Sequence, residues 1–334
     1  MASPVPGPRS QACGSKVPCR SPRSRPAITR RARASVGRAG LPPSGEMPLP
    51  QTLLVIVGDE LLGGFTTDTN GTLAARRLFE AGYPVRRIEI VGDAVDDIAV
   101  AVRRGIDDPS ITRVIVAGGI GPTPDDRTHE AVARALGREL VEHPAALHHI
   151  ETLVARMHAA GWVSSPAPTP ANRKMSRMAQ GVGILDNPRG MAPGLAVELG
   201  PAPAAGTADD RRAARSATGT GEVGTEAVAP SPWSRWLFVL PGVPREFAAV
   251  LEDVLIPSHF AGSQAMAVVE TRHPGAIEAD FAEPMRRLEM EFPDVAVGSY
   301  PQQRGRDLVI RMRGTDPERV RAAEERLREL RAEA

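Results

Sequence analysis

Strand-like and helix-like patterns alternate through the first half of the sequence. Short apolar or alternating runs predict strands at residues 53–57, 85–91 and 113–117. Helical spacing of apolar positions predicts helices at residues 68–82, at residues 96–106 and after residue 126. Strands that alternate with helices are typical of a parallel sheet covered on both faces, so the pattern predicts a three-layer α/β domain.

Residues 201–232 interrupt this alternation. They are rich in Ala, Gly, Thr, Pro and charged residues and show no periodicity, whereas strand patterns flank them at residues 195–199 and 236–240. We predict a disordered insertion between two strands, because the cost of closing a loop grows only slowly with its length. Residues 50–260 are then one domain that carries this insertion.

A second, smaller domain is predicted for residues 264–334. The pattern from residue 266 onward reads strand, helix, strand, strand, helix, which is typical of a small α+β unit. Pro284 falls inside the first of these helices. Because proline cannot donate a backbone hydrogen bond, we expect it to bend or restart that helix.

Charge is distributed unevenly along the 334 residues, whose net charge is +1. Residues 1–46 hold nine Lys or Arg residues and a single acid, Glu46, so the remainder carries a charge of −7. An acidic body argues against a nucleic-acid partner. Both cysteines, Cys13 and Cys19, lie in the basic leader, which excludes disulfides and thiol chemistry from the body.

The leader, residues 1–46, has three possible explanations. Its Arg-, Ser- and Pro-rich composition fits a disordered segment, a translation start placed upstream of Met47, or an organellar transit peptide. We expect a cytoplasmic protein, with organellar targeting as the alternative. No stretch approaches the roughly 20 apolar residues of a membrane span, so no membrane partner is expected.

A loop rich in glycine follows the predicted strand at residues 113–117. Residues 118–126 read Gly-Gly-Ile-Gly-Pro-Thr-Pro-Asp-Asp and lead into a helix. Glycine lets the backbone approach an anion closely, and the first N–H groups of a helix favour negative charge. The residues of this loop that we predict to bind phosphate are Gly118, Gly119, Gly121 and Thr123.

Five motifs in a fixed order resemble the MoaB/Mog, or molybdopterin-binding-like, domain family. They are Gly-Asp-Glu-Leu-Leu-Gly at residues 58–63, Asp-Thr-Asn at 68–70, the loop with Arg-Thr at 118–128, Asn-Pro to Ala-Pro-Gly at 187–194, and Leu-Pro-Gly-Val-Pro-Arg-Glu at 240–246. The Thr-Pro-Asp-Asp form of the loop is similar to the type found in the amino-terminal part of the competence/damage-inducible protein CinA. The resemblance covers about residues 53–257, and the segment after residue 265 resembles the small domain that follows in that type.

The resemblance implies a phosphorylated, nucleotide-like ligand. Members of the family are associated with a pterin phosphate of molybdenum-cofactor synthesis or with metal-dependent cleavage of the pyrophosphate in ADP-ribose. One interpretation is therefore a pyrophosphatase, a hydrolase that uses a divalent metal such as Mg²⁺. The alternative is a protein that binds molybdopterin, or assembles the molybdenum cofactor, without hydrolysis; a third is a competence-related protein with no small-molecule chemistry. The family also implies a homo-oligomer.

Carboxylates at the ends of the first and third strands are the candidate catalytic and metal-binding groups. Ligands of α/β sheets bind beyond the carboxyl ends of the strands, so neighbouring first and third strands would place Asp59 opposite the loop at 118–126. We predict that Asp59 and Asp125 are catalytic and that Asp59, Asp125 and Asp126 hold the metal. The alternatives are a turn role for Asp59 and a helix cap for Asp126.

Two further segments are expected to reach the ligand. Asp68 and Asn70 open a predicted helix, where capping accounts for one polar residue but not for several together. Gly242 follows a strand and leaves room for a ligand, and Arg245 faces a phosphate in this interpretation. The alternative for Arg245 is an ordinary solvated arginine.

Three departures from the family pattern limit the resemblance. Met191 stands where a small hydroxyl residue is usual, which removes one possible phosphate donor. Residues 201–232 stand where the family has a tight hairpin. The full-length CinA arrangement continues into a nicotinamide-nucleotide amidase domain, which residues 1–334 do not supply.

Overall fold

The computed structural model describes residues 49–200, 234–260, 263, 265–302 and 307–333. The basic leader at residues 1–46 and the insertion predicted at residues 201–232 lie outside the described residues. Those two predictions therefore stay predictions.

A central sheet organises the first domain. The strands of this domain are β1 (Gln51–Val57), β2 (Val85–Val91), β3 (Ile111–Ala117), β4 (Leu140–Glu142), β5 (Arg177–Ala179), β6 (Gly183–Leu185), β7 (Gly194–Gly200) and β8 (Arg235–Leu240). The six-stranded sheet has the order β2-β1-β3-β8-β7-β6, and β4 pairs separately with β5. Strands β2, β1, β3 and β8 run parallel, whereas β7 and β6 are antiparallel to their neighbours. The predicted parallel sheet is thus confirmed as the larger part of a mixed sheet.

Helices cover both faces of this sheet. They are α1 (Asp59–Leu62), α2 (Asn70–Glu80), α3 (Val95–Asp107), α4 (Thr128–Leu136), α5 (Pro144–Ala159), α6 (Pro170–Lys174), α7 (Pro244–Ala249) and α8 (Ile256–His259), with a π-helical segment at Val250–Leu255 between the last two. In β1, Leu53 and Val55 pack in one core with α3, α4 and α5, while Leu54 and Ile56 pack in the other with α2 and α7. Alternate residues of a strand point to opposite faces, so a continuous apolar run serves both cores. This arrangement confirms the three-layer α/β fold.

The order of the strands reverses beside β1. This strand pairs in parallel with β2 on one side and with β3 on the other, as expected for neighbouring first and third strands. The loops that follow β1 and β3 therefore leave the same edge of the sheet next to each other. In open α/β sheets this position is where ligands bind.

The smaller domain has the predicted order of elements and its own core. Its elements are β9 (Ala267–Pro274), a 3₁₀ turn at Glu278–Phe281, α9 (Ala282–Glu291), β10 (Ala296–Pro301), β11 (Asp307–Gly314) and α10 (Pro317–Glu333). The strands form an antiparallel sheet in the order β10-β11-β9. Pro284 lies in the first turn of α9, where its missing N–H costs no helical hydrogen bond, so the helix restarts after the 3₁₀ turn.

Within the described ranges, no helix combines the length and the apolar composition that crossing a membrane requires.

A buried arginine ties the start of β8 to the end of α3. The side chain of Arg235 is 3% exposed, and its guanidinium donates to the carbonyl oxygens of Ile111, Gly105, Ile106 and Asp108 at 2.8–3.1 Å. Burial lowers the pKa of this guanidinium from its ordinary value. The positive charge is nevertheless well placed, because the last carbonyls of a helix carry partial negative charge and need donors.

Replacing this arginine should destabilise the domain. In Arg235→Leu four carbonyl oxygens each lose a donor, and we expect the free energy of unfolding to fall by at least about 2 kcal/mol. The control Arg76→Leu removes one exposed ion pair with Glu80 and should cost less than about 0.5 kcal/mol. Urea unfolding of the three proteins measures the difference, and equal losses in both variants would contradict this role of Arg235.

Candidate functional site

A cavity of about 730 Å³ opens at the carboxyl ends of β1, β3 and β8. We call it the strand-end cavity. Its walls come from the loops after these strands, the residues that lead into α2, and Met191-Ala192. This volume lies in the range of about 300–1,000 Å³ that is typical of small-molecule sites.

Gly118 stands where three strand ends meet. Its φ angle is 106°, and a Cβ atom at this position would lie 2.4 Å from the carbonyl oxygen of Val57. Its N–H donates to Leu240 O at 3.1 Å, and a Cβ on Gly242 would lie 2.9 Å from Gly118 Cα. The packing of the chain alone thus requires glycine here, whether or not a ligand is bound.

The rest of the glycine loop lines the cavity only in part. Gly119 and Gly121 are lining residues, whereas Thr123 is not. The first N–H of α4, that of Thr128, donates to Gly119 O at 2.9 Å. This helical N–H group is therefore already satisfied within the chain and does not face an anion.

Asn70 joins two walls of the cavity and leaves one atom unsatisfied. Its side chain is 7% exposed, and Nδ2 donates to Gly242 O at 2.8 Å. Oδ1 is buried and has no hydrogen-bond partner in the structure. A buried acceptor without a donor is costly, so this atom is suited to receive a hydrogen bond from a ligand in the cavity.

Asp59 does not point into the cavity as predicted. Its Oδ1 accepts from the N–H of Asp93 at 3.3 Å, and its own N–H donates to Asp93 Oδ2 at 3.1 Å. This reciprocal pair locks the loop after β1 to the loop after β2. Asp93 lines the cavity and Asp59 does not, and the catalytic and metal-binding roles predicted for Asp59 stay predictions.

Asp93 is the carboxylate that the predicted site lacked. Burial raises its pKa above the ordinary value of 3.8, and the nearby charges of Asp59, Glu60 and Asp125 raise it further. The signal in the sequence was Gly92-Asp93 directly after a strand next to β1. A carboxylate with a raised pKa in a cleft is a candidate proton acceptor.

Asp125 and Asp126 both line the cavity, but Asp126 does not cap the next helix. The helix begins at Thr128 rather than at Arg127, and its N-terminal residue receives no side-chain cap. Asp126 Oδ2 instead accepts from the backbone N–H and the hydroxyl of Thr123 at 2.9 and 2.6 Å, so it closes the loop on itself. Asp125 remains exposed at the cavity. A hydrogen bond with the Thr123 side chain is the largest of the effects that lower the pKa of the Asp125 carboxylate.

The remaining predicted residues divide between the cavity and the protein surface. Asp68 lines the cavity, but its carboxylate also accepts from the N–H of Gly71 at 3.0 Å and so satisfies the start of α2. Arg245 is exposed and does not line the cavity, whereas the next residue, Glu246, does. Glu246 Oε2 accepts from Asn187 Nδ2 at 2.8 Å, so the two family motifs hold each other in place.

The lining of the cavity is acidic and, among the described residues, contains no Lys, Arg or His. Its carboxylates are Glu60, Asp68, Asp93, Asp125, Asp126 and Glu246. The described residues nevertheless contain no group of three or more acidic, His or Cys side chains that could hold a metal by themselves. Mg²⁺ is usually held by one or two carboxylates together with the phosphates of a ligand, and Asp125 with Asp126 fits that pattern.

The domain that holds the strand-end cavity matches a known protein family. The chain belongs to the family described as "Probable molybdopterin binding domain", which matches residues 53–259. The resemblance to MoaB/Mog domains of the CinA type is thereby confirmed. Residues 273–334 match the family described as "FAD synthase, middle domain", which covers most of the smaller domain.

Three individual proteins illustrate the relationship. A protein of Pyrococcus furiosus is 32% identical over 81% of this chain and 93% of its own length. A CinA-like protein of Myxococcus xanthus is 34% identical over 61% of this chain, but the match spans only 38% of that protein. The crystal structure of the protein CinA from Thermoplasma acidophilum is 28% identical, with a TM-score of 0.45, and covers 61% of this chain and 95% of that one.

The raised pKa of Asp93 predicts a stability change that depends on pH. The folded protein binds this proton more tightly than the unfolded chain, so the ionised carboxylate lowers stability above the folded-state pKa. Asp93→Asn removes the charge and keeps an oxygen acceptor. We expect the variant to be more stable than the original protein at neutral pH, by less than about 1 kcal/mol because the side chain is partly exposed.

This gain should disappear as the pH falls through the folded-state pKa of Asp93, because both proteins are then neutral at this position. Urea unfolding at neutral pH and at about pH 3 tests the expectation. The control Asp97→Asn changes an exposed aspartate of α3 and should give no such gain. A less stable Asp93→Asn at neutral pH would contradict the assigned electrostatics.

Proposed function

We propose that the chain binds a phosphorylated, nucleotide-like ligand in the strand-end cavity and hydrolyses its pyrophosphate with a divalent metal ion. ADP-ribose is the substrate to test. The observation that carries this proposal is the acidic lining, six carboxylates with no basic residue among the described positions. Such a lining repels phosphate unless cations accompany it, so a phosphorylated ligand of this cavity needs a metal.

The proposed roles follow from the positions of the side chains. Asp125 and Asp126 would hold the metal ion beside the phosphates of the ligand. When bound, the metal neutralises charge on the phosphates and polarises the phosphorus that is attacked. Gly118, Gly119 and Gly121 leave room for the phosphates beside the backbone, and Gly242 continues that surface.

Asp93 takes the proton of the attacking water in this proposal. The water oxygen forms a bond to phosphorus, the bond from phosphorus to the bridging oxygen breaks, and the second phosphate leaves with that oxygen. A raised pKa makes Asp93 a better proton acceptor than an ordinary aspartate. Asp59 acts through Asp93, because it holds the backbone of that residue in place.

In this proposal Asn70 binds the nucleotide-like part of the ligand. Its buried Oδ1 lacks a donor, and a ribose hydroxyl can supply one. The contact would select a ligand with a hydroxyl or amine at this point, because a ligand without a donor leaves the oxygen unsatisfied. Asp68, on the same wall, is a second acceptor within the cavity.

The second candidate function is the binding of molybdopterin, or the assembly of the molybdenum cofactor, without hydrolysis. It is supported by the family description and by the lack of a preformed metal cluster among the described residues. A pterin also carries amine donors that could satisfy Asn70 Oδ1. Tight molybdopterin binding without turnover of ADP-ribose would favour this candidate.

Hydrolysis of ADP-ribose by the full chain tests the first proposal. We expect AMP to form only when a divalent metal is present, as measured by chromatography. Asp93→Asn should lower kcat/KM by about a hundredfold or more through loss of the proton acceptor. Asp125→Asn should raise the metal concentration needed for half-maximal activity.

The matched control is again Asp97→Asn, which lies outside the cavity and should retain full activity. Urea unfolding of each variant separates a loss of activity from a loss of folding. Failure to form AMP at high enzyme concentration with any of Mg²⁺, Mn²⁺ or Co²⁺ would refute the pyrophosphatase proposal.

A further inference from the structure

A second, smaller recess lies on the other side of the loop at residues 118–126. Its volume is about 120 Å³, which is room for about four waters at about 30 Å³ each. We call it the rear recess; its lining includes Gly121, Asp126, His129, Lys174 and Arg177. Gly121 and Asp126 also line the strand-end cavity, so one loop separates the two spaces.

His129 is the unusual residue of the rear recess. It is 8% exposed, yet neither ring nitrogen has a hydrogen-bond partner of acceptable geometry. Burial lowers its pKa to about 4, although the backbone of Arg177 lies close enough to favour the charged form slightly. The imidazole is therefore neutral near pH 7, and one of its nitrogens carries a proton that it can donate to a ligand.

Basic side chains converge on the same space. Arg127, Lys174 and Arg177 line the rear recess, against the two acids Asp126 and Glu130. Asp126 accepts from Thr123, and Glu130 pairs with Arg127 at 3.4 Å, which leaves Lys174 and Arg177 as the described cations of the recess that neither acid pairs with.

The cations differ in what they already bind. Lys174 Nζ donates to Thr123 O, which fastens the loop. The guanidinium of Arg177 forms no ion pair or hydrogen bond among the described residues, although the side chain lies on β5 beside the recess. An unpaired guanidinium and an unsatisfied imidazole at one small opening are the donors that a tetrahedral oxyanion needs.

We propose that the rear recess is an anion site that binds inorganic phosphate, with His129 and Arg177 as donors and Lys174 as a further positive charge. The recess differs from the strand-end cavity in position and also in charge, because among the described residues only the recess is lined by basic side chains. The cavity is lined by carboxylates and takes phosphate only together with a metal, whereas the recess takes phosphate without one. A phosphate bound here lies beside Gly121 and Asp126, which also line the strand-end cavity.

The test is a titration of the metal-free full chain with inorganic phosphate in the presence of EDTA. The ring signals of His129, assigned by NMR, report on the recess directly and need no enzymatic turnover. We expect a saturable shift of these signals in the original protein. Arg177→Gln should weaken the apparent affinity about tenfold, which corresponds to one lost charge-assisted hydrogen bond.

Arg173→Gln is the matched control, because Arg173 lies one residue before Lys174 but pairs with Glu142 at 2.8 Å and does not line the recess. It should leave the titration unchanged. A second variant, Val243→Glu, adds a negative charge to the strand-end cavity and should also leave it unchanged.

Three results would overturn the proposal. One is a His129 signal that does not respond to phosphate or drifts without saturation. Another is equal weakening in Arg177→Gln and Arg173→Gln, which would indicate a diffuse charge effect. The third is loss of the response in Val243→Glu, which would place the phosphate in the strand-end cavity. Because EDTA removes the metal, none of these results bears on the hydrolysis of ADP-ribose.

Discussion

The close approach of three strand ends at Gly118 is the constraint on which the site depends. The backbone of this residue lies against the end of β1, donates to the end of β8 and accepts from the Thr128 hydroxyl at 2.7 Å. Only glycine fits, because φ is positive and a Cβ would collide with the backbone. As a result the loops after β1, β3 and β8 share one mouth. This packing creates the cavity, and the polar side chains of the three loops line it.

Charge divides the two sides of the loop at residues 118–126. The strand-end cavity holds carboxylates and no basic residue among the described positions, while the rear recess holds two arginines, a lysine and a neutral histidine beside two carboxylates. Among the charged side chains at these described positions, a phosphate therefore meets only carboxylates on one side of the loop, and cations together with carboxylates on the other. Under the proposed function, a metal ion rather than an arginine would bring phosphate to the strand-end cavity. The glycine loop supplies space, and most of its polar groups already serve the fold.

The sequence predicted the sheet and the position of the site because long apolar strands and glycine loops carry strong local signals. It did not predict β4, β5 and β6, because three-residue strands are too short to show a period. The position of Asp59 after β1 shows where the residue lies but not where its carboxylate points. The hydrogen bonds to the Asp93 loop decide that direction, and they join residues far apart in the sequence.

The most direct measurement is a crystal structure of the full chain with ADP-ribose and Mn²⁺, in which anomalous scattering locates the metal. We expect one or more Mn²⁺ ions at Asp125, in contact with phosphate oxygens, and a ligand hydroxyl within hydrogen-bond distance of Asn70 Oδ1. A ligand whose phosphates lie in the strand-end cavity without any metal would contradict the central claim. Ordered ligand bound outside that cavity would contradict it as well.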